Sequence, residues 1–170
     1  FPEGFTTAGR ASGRVLATGH GENLSTANTE LAITTLNFAD AAGALAGEAV
    51  AGELKIELAA DHSGDFVTDG RLALTGVQAY SDPVFLDFGV HRLSVDFSGL
   101  LSSDASHFVA HEFSLVHDGV VSVSGSVTLD LFGETMLQEA KLAIPDLDLA
   151  DALPAYVQPY LTGTSLKDLA

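Results

Sequence analysis

Histidine suits metal ligation and proton transfer near neutral pH better than any other side chain. Residues 89–134 hold His91, His107, His111 and His117, with Glu112 and Asp118 beside them. The run "HFVAHE", residues 107–112, does not have the HExxH order of zinc proteases. On a helix, His107 and His111 could share a metal ion. The run alternates apolar and polar residues and reads as a strand, where four residues span about 13 Å at about 3.3 Å each. Ligand bonds of about 2 Å cannot bridge that gap. His107, His111 and His117 share a parity with Val109, Phe113 and Leu115, so all are expected on one side of a strand. The favoured reading puts these histidines at the margin of a sheet face. A metal site would need a ligand from a neighbouring strand, and a hydrolase would need an Asp or Glu brought within hydrogen-bond reach.

Other chemical candidates are weaker. The acidic run "DLDLAD" (Asp146, Asp148, Asp151) lacks the glycine and terminal glutamate of an EF-hand loop, so capping and solvent roles are expected. "GHGENL", residues 19–24, lacks the third glycine of a phosphate loop, and no helix follows it. Asn23-Leu24-Ser25 is a glycosylation sequon by pattern, with meaning only on a eukaryotic secretory route. There is no GxSxG, and the serines fall in turns or on polar strand faces. The absence of cysteine excludes disulfides, thiol nucleophiles and Cys-based zinc sites. No catalytic residue, metal ligand or cofactor is assigned, and no enzymatic activity is expected.

The elements that position these residues follow from composition and alternation. The 170 residues, 46% hydrophobic and 18% charged, suit one folded domain rather than disorder. Seventeen glycines and frequent Thr, Ser and Val favour strands and turns. With 7 basic against 23 acidic residues, the net charge of -16 repels phosphate backbones and anionic membrane surfaces, so nucleic acid is not an expected partner. No run of 18 apolar residues exists to span a membrane, and "FPEGFTTAGR" has no signal-peptide pattern. Opening on Phe1 suggests a mature product or an excised piece.

Strands are expected over 12–19, 24–38 (Leu31, Ile33 and Thr35 on one face), 44–60 and 66–80, then at "VFLDF" and "HRLSVDFSG". "DHSGD" is expected to turn, and Pro83 to mark a break. Residues 107–117 and 120–132 read as a hairpin turned at Asp118-Gly119, and 137–145 as a last strand. "IPDLDLADALPAYVQPYLTG" is the best helical candidate, expected over 149–157. Asp146 or Asp148 would cap it, Pro154 would lie in its first turn, and Pro159 and Gly163 would end it.

Apolar residues recur at every second position in most of these strands: Leu54, Ile56 and Leu58; Leu72 and Leu74; Leu93, Val95 and Phe97; Val127, Leu129 and Leu131; Leu142 and Ile144. Such stripes ordinarily fill a sandwich or barrel core. Two features argue otherwise. Several expected strands run to about 13–15 residues, against a usual length of about five or six. The one helical segment is also too small to cover a sheet of that size. The expected fold is therefore all-β: long antiparallel strands in a strongly curved, groove-like sheet with one short helix near the C-terminus. The stripes would line its partly open apolar face.

Three stretches carry a resemblance to a known family: "ELAITTLNFADAAGALAGEAVAGELKIELAA" at 30–60, the glycine-punctuated amphipathic strands up to 145, and "LDLADALPAYVQPYLTGTSLKDL". Together they resemble the AsmA-like envelope proteins, especially the TamB and YdbH type of bridge-like lipid transfer protein. The resemblance implies a repeating, taco-shaped β-groove in the periplasm of a Gram-negative bacterium. Phospholipid acyl chains would slide along the interior while head groups stay in water. The full-length protein would be anchored in the inner membrane and would meet inner- and outer-membrane proteins at its ends. Residues 1–170 are then expected to form one groove unit of a longer repeat-built protein, with 149–161 linking to the next. The alternative is a closed β-sandwich or solenoid acting as a surface adhesin or carbohydrate-binding module.

Overall fold

Antiparallel pairing between strands that follow one another in sequence builds nearly the whole molecule. The computed structural model describes residues 5–21, 23–41, 45–76, 78–81, 84–87, 91–133, 136–153 and 156. Its strands are β1 (Thr6–His20), β2 (Asn23–Ala39), β3 (Leu45–Ala60), β4 (Phe66–Thr75), β5 (Gln78–Ser81), β6 (Val84–Asp87), β7 (Leu93–Leu101), β8 (His107–His117), β9 (Val121–Asp130) and β10 (Leu137–Leu147). A short helix, α1 (Leu149–Ala152), follows. The sheet runs β1-β2-β3-β4-β7-β8-β9-β10, antiparallel throughout and not closed. β5 and β6 form a small hairpin, paired through β5 to the start of β3.

The chain is all-β, as alternation implies, and it does not form a closed sandwich or solenoid. Its accessible surface is 11070 Å², whereas a compact monomer of this mass exposes roughly 7,900 Å². The excess is what a single sheet without a second layer produces. Few large side chains are fully buried, and the residues most deeply buried on the apolar side of the inner strands include the small Ala27 and Ala110, beneath larger neighbours. Apolar side chains of β3, β4 and β7 are half-buried, while their polar alternates Glu53, Lys55, Glu57, Arg71 and Asp96 are exposed. The apolar side is thus the less exposed side of the sheet.

Several boundaries differ from those expected. β1 extends beyond 12–19 in both directions, because an edge strand of Thr, Ala and Gly needs only backbone partners on β2. The strand expected over 66–80 is interrupted at Gly76, whose φ of 129° suits glycine; β5 beyond it continues along β3 in the register of β4, while the pairing with β7 stops at Leu74. Thr35 does not share the face of Leu31 and Ile33. With φ of 51° it sits in a bulge between Ile33 and Leu36. The Asp118-Gly119 hairpin forms as expected: Val120 N donates to His117 O at 2.9 Å, and Gly119 takes φ of 73°.

The expected helix begins at Leu149 as α1, and residues 154, 155 and 157 of the expected span lie outside the described residues. Asp148, not Asp146, caps it, accepting from Ala150 N at 2.8 Å and Asp151 N at 3.4 Å; Asp146 remains in β10 opposite Ser122. Pro83, Pro154, Pro159 and Gly163 lie outside the described residues.

Candidate functional site

Residues directly paired across antiparallel strands point to the same face. Following the register across the sheet therefore sorts every side chain. One row runs Leu31, Leu54, Leu72, Val95, Leu115, Val123. Two residues along, the next runs Val15, Thr29, Ile56, Gly70, Phe97, Phe113, Gly125, Leu142. Leu74 and Leu93 share a row with Ile33 and His117. Leu58 shares one with Val127, and Leu129 with Phe108 and Leu101. One face of eight strands is thus almost continuously apolar.

The sequence-derived groove residues converge on this face, with two exceptions of position. Ile144 lies in the bulge between Ala143 and Asp146, and Leu131 lies past the end of β9, in the turn, where its N–H donates to Ser106 O at 2.8 Å. The stripe list omits Leu31, Ile33, Phe113 and Leu115. Their signal was present, but bulges in β2 and β8 interrupt the alternation that would have marked both strands as continuous stripes.

Aromatic rings and glycines fit together on this surface. The Phe97 ring lies across Gly70 on the adjacent strand, where any added Cβ would strike it. The same ring meets Phe108 edge-on, centroids 5.5 Å apart at 79°. Phe38 covers Gly47 in the same way near the far end of β2.

One end of the apolar face has a cover. His117 (1% exposed), Val120 and Leu93 are buried there, and Ala152 of α1 is buried as well. His117 Nδ1 lies 2.7 Å from the Tyr156 hydroxyl, and the His91 ring packs edge-on against His117 at 5.6 Å. Asp148 N donates to Val120 O at 3.0 Å, fixing the start of α1 to the β8–β9 turn. Burial pushes the Tyr156 hydroxyl pKa above its ordinary value. The chain after β10 thus folds back over the sheet end.

The histidines of β8 are divided between the two faces. The shared parity fails, because β8 bulges between Ala110 and Phe113. His107 therefore falls on the polar face opposite Asp130, and His117 on the apolar face. His107 Nε2 lies 4.0 Å from Asp130 Oδ2, and its Nδ1 lies 2.7 Å from Ser106 Oγ. This outlines a Ser-His-Asp series, but a hydroxyl has one proton. Ser106 gives it to Asp104 at 2.7 Å, and with that bond made His107 Nδ1 is the donor to Ser106. Hydroxyls of Ser106 and Ser102 hold the Asp104 carboxyl well below the usual carboxylate range, as befits a turn anchor. Among the described residues, no group of three or more His, Asp or Glu could hold a metal ion.

The opposite face is charged. Lys55 pairs with Glu30 at 3.9 Å and Arg71 with Asp96 at 3.6 Å, all well exposed and hence of small energetic weight. An open concavity of about 490 Å³ lies on this side, between Lys55, Glu57, Asp69, Arg71, Asp96 and Glu112. Water reaches these side chains, and Gly70, Phe97 and Phe113 also contribute to the lining.

Fold and site together define a class: an open, single-layer antiparallel sheet with one charged face and one apolar face. Comparison with protein-family models, with curated proteins and with solved structures finds no match.

Proposed function

We propose that the chain is a β-groove unit that binds the acyl chains of phospholipids or fatty acids along its apolar face and performs no catalysis. The observation carrying this reading is the apolar side of the sheet, six strands deep in Leu31, Leu54, Leu72, Val95, Leu115 and Val123, over which the described residues lay no second sheet. A contiguous apolar surface of this extent that is only half-buried favours a binding site. Each acyl methylene removed from water contributes about 0.8 kcal/mol, so one lipid tail gains on the order of 10 kcal/mol gross before ordering costs. These contacts are non-directional. A tail can advance by one strand with little loss, which suits a conduit and requires no reactive residue. The net charge of -16 keeps such a surface soluble and favours keeping lipid head groups in water at the margins.

The same reading places the chain in the periplasm of a Gram-negative bacterium, as a segment of an inner-membrane-anchored, AsmA-like protein. There it would carry phospholipid between the two membranes, with membrane proteins engaging the ends of the full-length molecule. No described helix is long and apolar enough to cross a membrane.

Native mass spectrometry and lipid extraction of the purified chain test the proposal. Co-purifying phospholipid or fatty acid, or saturable uptake of a fluorescent fatty acid, is expected. A ligand-free protein that takes up neither overturns it.

A further inference from the structure

A long unpaired strand edge is a template for another strand, and natural sheets blunt such edges. Among the described residues both ends of the sheet present long edges: β1 has 15 residues and β10 has 11, and all of them are exposed. Large apolar side chains are exposed chiefly at these ends: Val15 (63%) and Leu16 on β1, and Leu137, Leu142, Ile144 (60%) and Leu147 on β10. Among the described side chains of strands β3 to β9, only Val67 is a comparable case. The two edges also differ in charge. β1 carries Arg10 and Arg14 and no acidic residue, within a chain of net charge -16. Among the described residues neither arginine has an ion pair; Glu30, which stands opposite Arg14, pairs with Lys55. β10 carries Glu139 and Asp146, and its one cation, Lys141, pairs with Glu139 at 2.8 Å.

We propose that, where no adjoining segment occupies these edges, copies of this chain join head to tail through them, β10 of one against β1 of the next. The path across the sheet has eight antiparallel strands, so β1 and β10 run in opposite directions. A copy shifted along the sheet therefore lays its β1 antiparallel on β10, with apolar faces on the same side. An odd number of strands would force a parallel joint. The register that keeps the apolar rows in line sets Leu142 opposite Val15, Ile144 opposite Gly13 and Leu147 opposite Ala11. Branched side chains thereby meet small ones. On the charged face the same register sets Asp146 diagonally between Arg10 and Arg14, and Lys141 opposite Leu16. This contact is heterologous and lengthens the apolar trough with each added copy. Pro145 and the bulge beside it remove part of the ladder from β10, so the joint is weak and depends on concentration.

The absence of cysteine makes the test clean. Leu16→Cys and Lys141→Cys chains are oxidised separately and as a mixture, alongside sedimentation velocity of the unmodified chain. Disulfide-linked dimers in the mixture and not in either variant alone are expected, together with unmodified species that grow with concentration. Arg10→Glu with Arg14→Glu, checked for folding by circular dichroism, should weaken association roughly tenfold, and adding Asp146→Arg should restore it. A chain that stays monomeric at millimolar concentration overturns the proposal. So does cross-linking of either single variant as fast as the mixture, which would mean that like edges meet.

Discussion

Replacing Ile56 and Val95 together by aspartate is expected to abolish acyl-chain uptake while leaving the sheet folded. Ile56 and Val95 stand in adjacent apolar rows on β3 and β7, both half-buried. A carboxylate there keeps its hydration only by holding the tail away, or loses it when the tail arrives. Either way the bound state suffers by about 3 kcal/mol or more, which is at least about a 100-fold loss of affinity. Leu16→Asp provides the control, since Leu16 lies on the charged face in a row with Asn28 and Glu57. Titration with a fluorescent fatty acid, with circular dichroism to verify folding, reads the outcome. Uptake that survives the double substitution would end the assignment of the lining.

The second prediction concerns how the apolar face holds its shape. Gly70 lies in mid-strand beneath the Phe97 ring. Gly70→Val should destabilise the protein by about 1–3 kcal/mol, because the added side chain drives the ring off its site. The displaced ring also loses its edge contact with Phe108, of the kind worth about 0.5–1.5 kcal/mol. Valine otherwise suits a strand better than glycine. In a Phe97→Ala background, where the obstruction is gone, Gly70→Val should therefore become neutral or favourable. Urea unfolding of the four proteins gives the coupling directly. Equal costs in both backgrounds would show that the ring and the glycine are not a fitted pair.

Sequence alternation marked the apolar face well where strands are regular. β3, β4, β7 and β9 read correctly, since a strand with one face toward water and one away repeats every two residues. It failed wherever a bulge added a residue. In β8 the extra residue between Ala110 and Phe113 flips His107 to the charged side while His117 stays with the apolar rows. No local feature of "HFVAHEFSLVH" announces that shift. Gly99 on β7 allows it: its missing Cβ lets the β8 backbone at Val109 approach, which is a contact between residues distant in sequence. β1 was under-read for another reason. Its small and polar residues carry no alternation, and its pairing depends on the length of β2.

The helix shows the same limit. Asp148 and the apolar spacing after it point to a helical turn, and that turn exists. Its return over the sheet end depends on His117 and Tyr156 meeting across 39 positions, which no local pattern records. The open edge strands are legible in neither composition nor spacing. They emerge only when the pairing order is known.

The central claim is that acyl chains occupy the apolar rows and not the charged side. The most direct measurement is methyl NMR with a phosphatidylethanolamine carrying a nitroxide near the end of one acyl chain. Signals of Leu31, Leu54, Leu72, Val95 and Leu115 should broaden, while those of Leu16 and Val116 on the other face persist. Broadening confined to the charged face, or none on either side at saturating lipid, would contradict the account.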